Sequence, residues 1–206
     1  MVRGQRVPRR PGLTHDRVIE VAVDLINKEG LESLSFAKLA KHFGVKAPSL
    51  YNHVEGMEGL RRALRLRGLA HLLSVLQRAA VGRSGKEALT AIARAYRDYA
   101  RIHPGLYMLT LQASEGDDTE VYKAGRAVLE VVLAALSGYN LEGDEALHAT
   151  RCLRSALHGF VALETGGGFG LALNLDETFD RLLDMLDSGF RSAPQPHADE
   201  TKALSQ

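Results

Sequence analysis

The 206-residue sequence predicts an all-α fold, and three observations support that prediction. Apolar side chains recur at the spacing of an α-helix, as in the stretch from Val18 to Ile26. Of the six prolines only Pro48 and Pro104 fall away from the two ends. Apolar and polar residues do not alternate over any stretch long enough to indicate a strand.

Composition and charge exclude several classes of protein. The chain is 45% hydrophobic and 25% charged, which is typical of a folded soluble protein. Its formal net charge of +1 excludes a globally basic nucleic-acid coat protein. The single cysteine, Cys152, excludes a disulfide framework and suits the reducing cytoplasm. Residues 1–11 lack the apolar stretch of a secretory signal, and no run approaches the ~20 apolar residues of a membrane helix. We expect a cytoplasmic protein.

The charges are distributed unevenly along the chain. Residues 1–62 hold eleven basic and seven acidic side chains, a net of +4, whereas residues 63–206 hold fifteen and eighteen, a net of −3. Arg3, Arg6, Arg9 and Arg10 lie in a segment without an acid. This pattern suggests a partner that carries phosphates and binds at one end of the chain. The alternative is that the arm is a solvated, disordered tail.

Capping and breaking residues define about nine helices. Thr14 is suited to cap the first helix and Gly30 to end it, while Ser35 and Gly44 bracket the second. A third helix begins at Ala47, with proline in its first turn, where a missing N–H is tolerated. The nine predicted helices cover 14–30, 36–43, 47–54, 58–80, 86–103, 104–113, 119–137, 144–165 and 175–192.

These helices predict two domains with unstructured ends. We assign residues 1–13 to a basic disordered arm and 14–60 to a smaller domain of three helices. Residues 61–192 form a larger helical domain, and 193–206 form a disordered tail.

The stretch from Phe36 to Val54 has the features of a helix-turn-helix. Such a motif needs a small residue where the helices touch and a glycine in the turn, and Ala40 and Gly44 meet these needs. Apolar anchors lie on both sides of the turn, and the second helix carries polar groups suited to bases and phosphates. The alternative is an ordinary helical hairpin with a glycine turn. The anchors are Leu39, Phe43, Val45 and Leu50, and the polar residues are Lys46, Ser49, Tyr51, Asn52 and His53.

These residues resemble the tetracycline-repressor (TetR) family of bacterial transcriptional regulators. The resemblance is strongest over Pro48-Ser-Leu-Tyr-Asn-His-Val54, and it extends upstream through Phe43-Gly-Val45 and Gly30–Ser35. The C-terminal part, Leu157-His-Gly159 to Glu164, is similar to a subfamily with a Trp-His-Gly signature, with Leu157 replacing the tryptophan.

The resemblance implies roles for individual residues. Ala47, Pro48 and Ser49 would face the bases, and Tyr51 and His53 would contact phosphates. Many family members have a lysine where this chain has Met57, so that contact is lost. The basic arm and the lysines near the motif are then expected to compensate. The DNA-binding residues expected are Lys38, Lys46, Ala47, Pro48, Ser49, Tyr51, Asn52 and His53, with Lys41 as a further cation.

Aromatic and polar residues in the C-terminal part suggest a ligand cavity. Tyr96, Tyr99 and His103 recur on one face of the fifth predicted helix, and family ligand domains resemble a cage lined in this way. The alternative is core packing in which the polar tips find partners. The candidate ligand-binding residues are Tyr96, Tyr99, His103, Tyr107, Met108, His158 and Phe169.

The sequence therefore predicts a ligand-responsive transcriptional regulator. The resemblance implies a repressor that binds a palindromic operator as a homodimer and is released by a small-molecule inducer. The eighth and ninth predicted helices would form the dimer. We expect part of the stripe on the ninth helix to cross the two-fold axis, together with Leu153, Leu157 and Val161 of the eighth. That stripe is Phe179, Leu182, Leu183, Leu186 and Phe190.

Other patterns in the sequence do not meet the requirements of a phosphate-binding, metal-binding or catalytic site. Gly166–Gly170 follows a helix and lacks the lysine of a phosphate-binding loop. His148 and Cys152 share a helical face, but the sequence offers no third metal ligand. No nucleophile is paired with a base, and His148 and Cys152 lack a third ligand, so we predict no enzyme, no cofactor and no metal. The alternative is a small helical enzyme or small-molecule-binding protein with a vestigial DNA-binding domain.

Overall fold

The computed structural model describes residues 13–112 and 118–193, and within these ranges it contains helices and no strand. Residues 1–12 of the predicted arm, residues 194–206 of the predicted tail and Ala113, the predicted end of the sixth helix, lie outside the described residues. The α-helices are α1 His15–Glu29, α2 Phe36–Phe43, α3 Gly56–Ala80, α4 Gly85–Ile102, α5 Pro104–Thr110, α6 Thr119–Leu136, α7 Gly143–Thr165 and α8 Leu175–Arg191. The 3-10 helices are Leu31–Ser33, Ala47–Asn52 and Ser137–Tyr139.

Side chains at or directly before the predicted helix starts cap these helices. The hydroxyl of Thr14 accepts a hydrogen bond from the backbone N–H of Arg17 at 3.3 Å, and Ser35 accepts one from Lys38 at the same distance. The side-chain oxygen of Asn174 accepts one from Asp176 at 2.9 Å. Each bond satisfies an N–H that has no partner within its own helix, which confirms these starts.

The third predicted helix is shorter than expected and is a 3-10 helix, which we call the recognition helix (Ala47–Asn52). Its turns close through i→i+3 bonds, from Ser49 N–H to Lys46 C=O and from His53 N–H to Leu50 C=O, both 2.9 Å long. A segment of six residues has little room for the i→i+4 ladder of an α-helix, and short 3-10 runs are the usual result.

The chain divides into two compact units between Leu64 and Arg65. We call them the N-terminal unit and the C-terminal unit. The N-terminal unit has its own core, in which Val18, Ala22, Ile26, Leu39 and Leu50 are fully buried. Helix α3 contributes residues to both units. In the described part of the chain, no helix is long and apolar enough to cross a membrane.

The core of the C-terminal unit buries the apolar stripe of α8, which is the ninth predicted helix. Helix α4 packs against α6, α7 and α8, and Phe179, Leu183 and Phe190 lie among its buried residues. Leu182 and Leu186 are partly buried and pack against the same core. Leu153, Leu157 and Val161 of α7, the eighth predicted helix, are also buried there. Their own domain covers Phe179, Leu183, Phe190 and these three α7 residues, which leaves little of them for a second protomer. That Leu182 and Leu186 cross a dimer axis stays a prediction.

Ion pairs around the buried Arg97, which the sequence analysis missed, join α4 to α7 and α8. Its partner Glu164 on α7 is largely buried, whereas Asp176 on α8 is 78% exposed. The guanidinium of Arg97 donates from Nε to Glu164 at 2.8 Å, donates again from Nη2 to the same carboxylate, and reaches Asp176 at 2.8 Å. It also lies 5.1 Å from the ring centre of Phe160 and 4.8 Å from that of Phe179. The hydrogen bonds from Arg97 hold the pKa of Glu164 below its ordinary value.

Candidate DNA-binding surface and ligand cavity

The turn between α2 and the recognition helix uses the glycine that the sequence predicted. Gly44 has φ 66° and ψ 33°, the left-handed conformation that glycine adopts without a Cβ clash. The N–H of Val45 bonds to the carbonyl of Ala40 at 3.0 Å, which satisfies one of the last carbonyls of α2. Val45 is 36% exposed, so it anchors the turn less than expected.

The recognition helix separates a buried side from an exposed side. Because a 3-10 helix has three residues per turn, residues three apart lie above one another. Leu50 is fully buried, and Ala47 and His53, three residues to either side, are half-buried. Pro48, Tyr51 and Asn52 are exposed, and Ser49 is half-buried. The predicted polar residues thus lie mainly on the side that is open to a partner.

Tyr51 is exposed but held in place. Its ring centre lies 4.7 Å from that of Phe36, at an interplanar angle of 45°. The residue is nevertheless 57% exposed. Packing against Phe36 limits the rotamers of the ring, so its hydroxyl reaches a partner at a lower cost in conformational entropy.

The predicted cations of this surface differ in their surroundings. Lys38 donates to Glu29 at 2.7 Å, and both side chains are about half exposed. Such an exposed pair contributes little, so a phosphate can compete with Glu29 for the ammonium group. Lys46 is exposed, and no acid of the described residues pairs with it. Met57 is half-buried at the start of α3.

A cavity of about 390 Å³ lies in the C-terminal unit among α3, α4, α5, α6 and α7. This size is within the range of small-molecule sites. Its floor is formed by buried aliphatic side chains. Its more exposed lining holds polar and charged residues together with apolar ones such as Val128 and Leu147. The floor comprises Leu69, Leu72, Leu76, Ile92, Leu153 and Leu157, and the rim comprises Arg65, Gln112, Tyr122, Arg126, Arg151 and Arg154.

Of the seven predicted ligand-binding residues, Tyr96 lines this cavity and the other six do not. The Tyr99 hydroxyl donates to the carbonyl of Gly68 at 3.0 Å, and the His103 ring lies 4.6 Å from that of His71. Met108 is half exposed, and Phe169 packs on Phe160 with 5.0 Å between the ring centres.

Tyr107 and His158 form a hydrogen-bonded chain with Tyr96. The hydroxyls of Tyr96 and Tyr107 lie 3.0 Å apart, and the Tyr107 hydroxyl lies 2.6 Å from Nδ1 of His158. This chain satisfies the polar tips of all three residues, as buried polar groups require. It reaches the cavity at Tyr96 alone, and direct ligand contact by the other six predicted residues stays a prediction.

The cationic rim of the cavity was missed by the sequence analysis. Leu147, Thr150, Arg151 and Arg154 follow the i, i+3, i+4, i+7 spacing of one face of α7, which is the signal that could have indicated it. Arginine on a helix is most often a solvated side chain, so this signal becomes informative only when the other walls of the cavity are known.

Comparisons with known proteins agree with this architecture. A family model described as "Bacterial regulatory proteins, tetR family" matches residues 18–64. A second, described as "Tetracyclin repressor-like, C-terminal domain", matches residues 89–186. The first covers most of α1, all of α2 and the recognition helix, and the start of α3, and the second covers most of the C-terminal unit.

Several curated proteins are similar over much of the chain. An uncharacterized HTH-type transcriptional regulator of Mycobacterium tuberculosis, Rv0681, is 42% identical over 78% of this chain and 74% of its own length. An uncharacterized HTH-type transcriptional regulator of Bacillus subtilis, YobS, is 35% identical over 87% and 88%. The tetracycline repressor protein class D of Escherichia coli is 34% identical over 45% of each chain.

Solved structures share the fold. A protein of unknown function from Rhodococcus sp. RHA1 superposes with a TM-score of 0.75 at 22% identity, over 89% of this chain and 98% of that chain. ActR of Streptomyces coelicolor, in complex with actinorhodin, superposes with a TM-score of 0.64 at 18% identity, over 87% and 97%. At these identities the likeness concerns the fold alone.

Proposed function

Because this chain belongs to the tetracycline-repressor (TetR) family of bacterial transcriptional regulators, we propose that it represses transcription and is released by a small molecule. In this proposal a homodimer binds a palindromic operator, and a ligand in the cavity of the C-terminal unit weakens that binding. The tetracycline repressors among its relatives support the sign of the regulation.

One observation carries the proposal: helix α3 runs without a break from Gly56 to Ala80. Its first part contributes Leu60 to the N-terminal core, and its later part contributes Leu69, Leu72 and Leu76 to the cavity floor. A ligand that shifts the cavity floor therefore acts on the helix that also belongs to the DNA-binding unit.

The coupling works in both directions. If a ligand binds the DNA-free form better than the operator-bound form, the operator weakens ligand binding by the same factor. A ligand with equal affinity for both forms would change nothing. Release is thus a difference between two affinities, which titrations of ligand with and without operator DNA would measure.

We place the dimer interface on the outward faces of α7 and α8. Leu163 of α7 is 49% exposed and Met185 of α8 is 71% exposed, although both are large and apolar. Small residues on the same outward faces, Gly159 of α7 and Gly189 of α8, would let two helices approach closely. This surface replaces the buried part of the stripe as the candidate interface, and it keeps the predicted pair of helices.

The DNA-binding part is tested by selecting bound fragments from genomic DNA and titrating them with variants. Tyr51→Phe keeps the ring packed on Phe36 and removes only the hydroxyl. We expect it to weaken binding to the selected operator and to random DNA by a similar factor, since phosphate contacts do not read sequence. Ser49→Ala should instead change the sequence preference. Tyr122→Phe, at a similarly exposed tyrosine of α6, is the matched control. A Tyr51→Phe loss confined to the operator would assign Tyr51 to base contacts.

The interface is tested with Gly159→Arg. A Cβ at this position would meet no atom within 4 Å inside the chain, so the substitution leaves the fold of the protomer intact. We expect sedimentation to show a monomer with weakened operator binding. Ala134→Arg on the exposed face of α6 is the control and should remain a dimer. A folded, dimeric Gly159→Arg variant would place the interface elsewhere.

A further inference from the structure

We infer that the cavity binds an amphipathic anion, a molecule with an apolar body and an oxyanion head such as a carboxylate or a phosphate. The inference extends the proposed function by naming the class of its ligand. It depends on how polarity is divided between the floor and the rim of the cavity.

The floor selects an apolar body. Leu72, Leu76, Ile92, Leu153 and Leu157 line it, and each of them is buried within the domain. Two buried residues beside this floor, Tyr96 and Thr110, carry hydroxyls. The Tyr96 oxygen already lies 3.0 Å from that of Tyr107, and the Thr110 hydroxyl donates to the carbonyl of Tyr107 at 2.7 Å. A polar body would lose its hydration here without gaining partners, which disfavours it.

The rim selects a negative head. Arg65, Arg126, Arg151 and Arg154 line the cavity, and no aspartate or glutamate of the described residues does. Arg126 contacts Glu130 at 3.3 Å, so part of its charge is balanced outside the cavity. Arg151 makes no ion pair with any described residue. Guanidinium groups bind carboxylate and phosphate through paired hydrogen bonds, so this rim suits an oxyanion.

Two of the arginines are fixed by the end of α5. Arg154 donates to the carbonyls of Leu111 at 3.0 Å and Thr110 at 3.4 Å, and Arg65 donates to the carbonyl of Gln112. Neutral carbonyls hold the guanidinium groups in place without cancelling their charge. The Nε of Arg65 is buried and has no hydrogen-bond partner in the described structure.

The groups that oppose an anion are weaker than those that attract it. The last carbonyls of α5 carry about half a negative charge at most, and Glu130 offsets one arginine. Arg65, Arg151 and Arg154 still present three positive charges to the cavity. The guanidinium of Arg154 also acts on Tyr96, where it partly counters the rise in the pKa that burial causes.

The test compares three probes with the same chain and different heads: decanoate, decan-1-ol and decylammonium, each below its micelle concentration. Calorimetry with the full-length protein should show decanoate binding about tenfold to a hundredfold more tightly than decan-1-ol, and decylammonium most weakly. A fourth probe, decyl phosphate, has the same chain, and comparing it with decanoate shows whether the rim prefers a phosphate or a carboxylate head. Added salt should weaken the binding of decanoate more than that of decan-1-ol.

Variants then locate the head. Arg65→Gln and Arg154→Gln should remove most of the preference for decanoate over decan-1-ol while leaving decan-1-ol binding unchanged. Arg181→Gln, at an exposed arginine of α8 paired with Glu177, is the matched control. Arg151→Gln removes a charge from the rim at an arginine that donates to no backbone carbonyl of the described residues, so its effect on decanoate binding reports the charge alone. The comparison of heads on the wild-type protein decides the question even if a variant fails to fold.

The outcomes separate this inference from the proposed function. Equal or tighter binding of decan-1-ol or decylammonium overturns the inference, whatever happens to the operator complex. Tight decanoate binding that leaves operator affinity unchanged supports the inference and counts against a release mechanism through this cavity. Tight binding that also releases the operator supports both.

Discussion

The two units of this molecule are built by different kinds of interaction. In the N-terminal unit, caps such as Thr14 and Ser35 bond to residues three positions away, and Gly44 redirects the chain within one turn. In the C-terminal unit, Arg97 reaches Glu164 across 67 residues, and Tyr139 donates to Asp187 across 48 residues. The DNA-binding surface is consequently determined by short stretches of sequence, whereas the cavity depends on five helices that meet only in the folded domain.

This difference has a functional consequence. A surface that reads DNA needs a few side chains at fixed spacing, which one short helix provides. A cavity needs walls on several sides, and residues from Arg65 to Leu157 supply them. Substitutions in the cavity can therefore alter ligand choice while the recognition helix stays the same.

The largest expected effect comes from a substitution in the core of the C-terminal unit, whose contacts join residues far apart in the sequence. Leu183→Glu would place a charge where the leucine is 2% exposed. An unpaired buried charge costs several kcal/mol, about 3–5 or more, which is enough to unfold the C-terminal unit. Loss of amide protection across residues 65–193 would show it. Leu171→Glu, at a leucine that is 79% exposed, should change the free energy of unfolding by less than about 0.5 kcal/mol.

Leu50→Ala is the corresponding test of the N-terminal unit. This leucine is fully buried beneath the recognition helix, and its truncation should cost about 2–5 kcal/mol. We expect operator binding to be lost while decanoate binding and amide protection in the C-terminal unit persist. An equal loss of protection in both units would mean that they unfold together, against the comparison drawn above.

Glu164→Gln probes the buried ion pair through its pH dependence. Because Arg97 lowers the pKa of Glu164 from 4.5, the pair stabilises the fold above that pH. The stabilisation is lost as the pH falls through the lowered pKa. The variant should be about 1.5–3 kcal/mol less stable at pH 7, and the difference should shrink in acid. Urea unfolding at several pH values would measure it, with Glu177→Gln at an exposed pair as the control. A difference that is constant with pH would contradict this assignment.

The smallest expected effect comes from replacing with alanine either of two glycines that share a positive φ. Gly44 has φ 66° in the N-terminal unit, and Gly82 has φ 72° in the loop after α3. Alanine in this region should cost each about 1–2 kcal/mol. Only Gly44→Ala should lower operator affinity, since only this turn orients the recognition helix. A similar loss of affinity in Gly82→Ala would show that the cost acts through general stability.

Much of the fold could be predicted from the sequence because its signals are local. Proline, glycine and capping side chains limit the backbone of their own neighbours, so the helix ends at Thr14, Gly30, Ser35 and Gly44 follow directly. The outward placement of the polar recognition residues also follows, since the spacing of buried anchors such as Leu50 defines the opposite side. The 3-10 geometry does not follow, because i→i+3 and i→i+4 turns share nearly the same pattern over six residues.

The sequence by itself determined that the stripe on α8 must be buried, and the tertiary structure decided what buries it. Periodicity identifies an apolar face, but it carries no information about whether that face meets its own domain or a second protomer. The same limit applies to the cavity: Tyr96 reaches it, whereas Tyr99 of the same helix face bonds to Gly68. The charge of the rim was equally hidden, because Arg65 and Arg154 are 89 positions apart in the chain. Their shared role arises only when α3 and α7 pack around the end of α5.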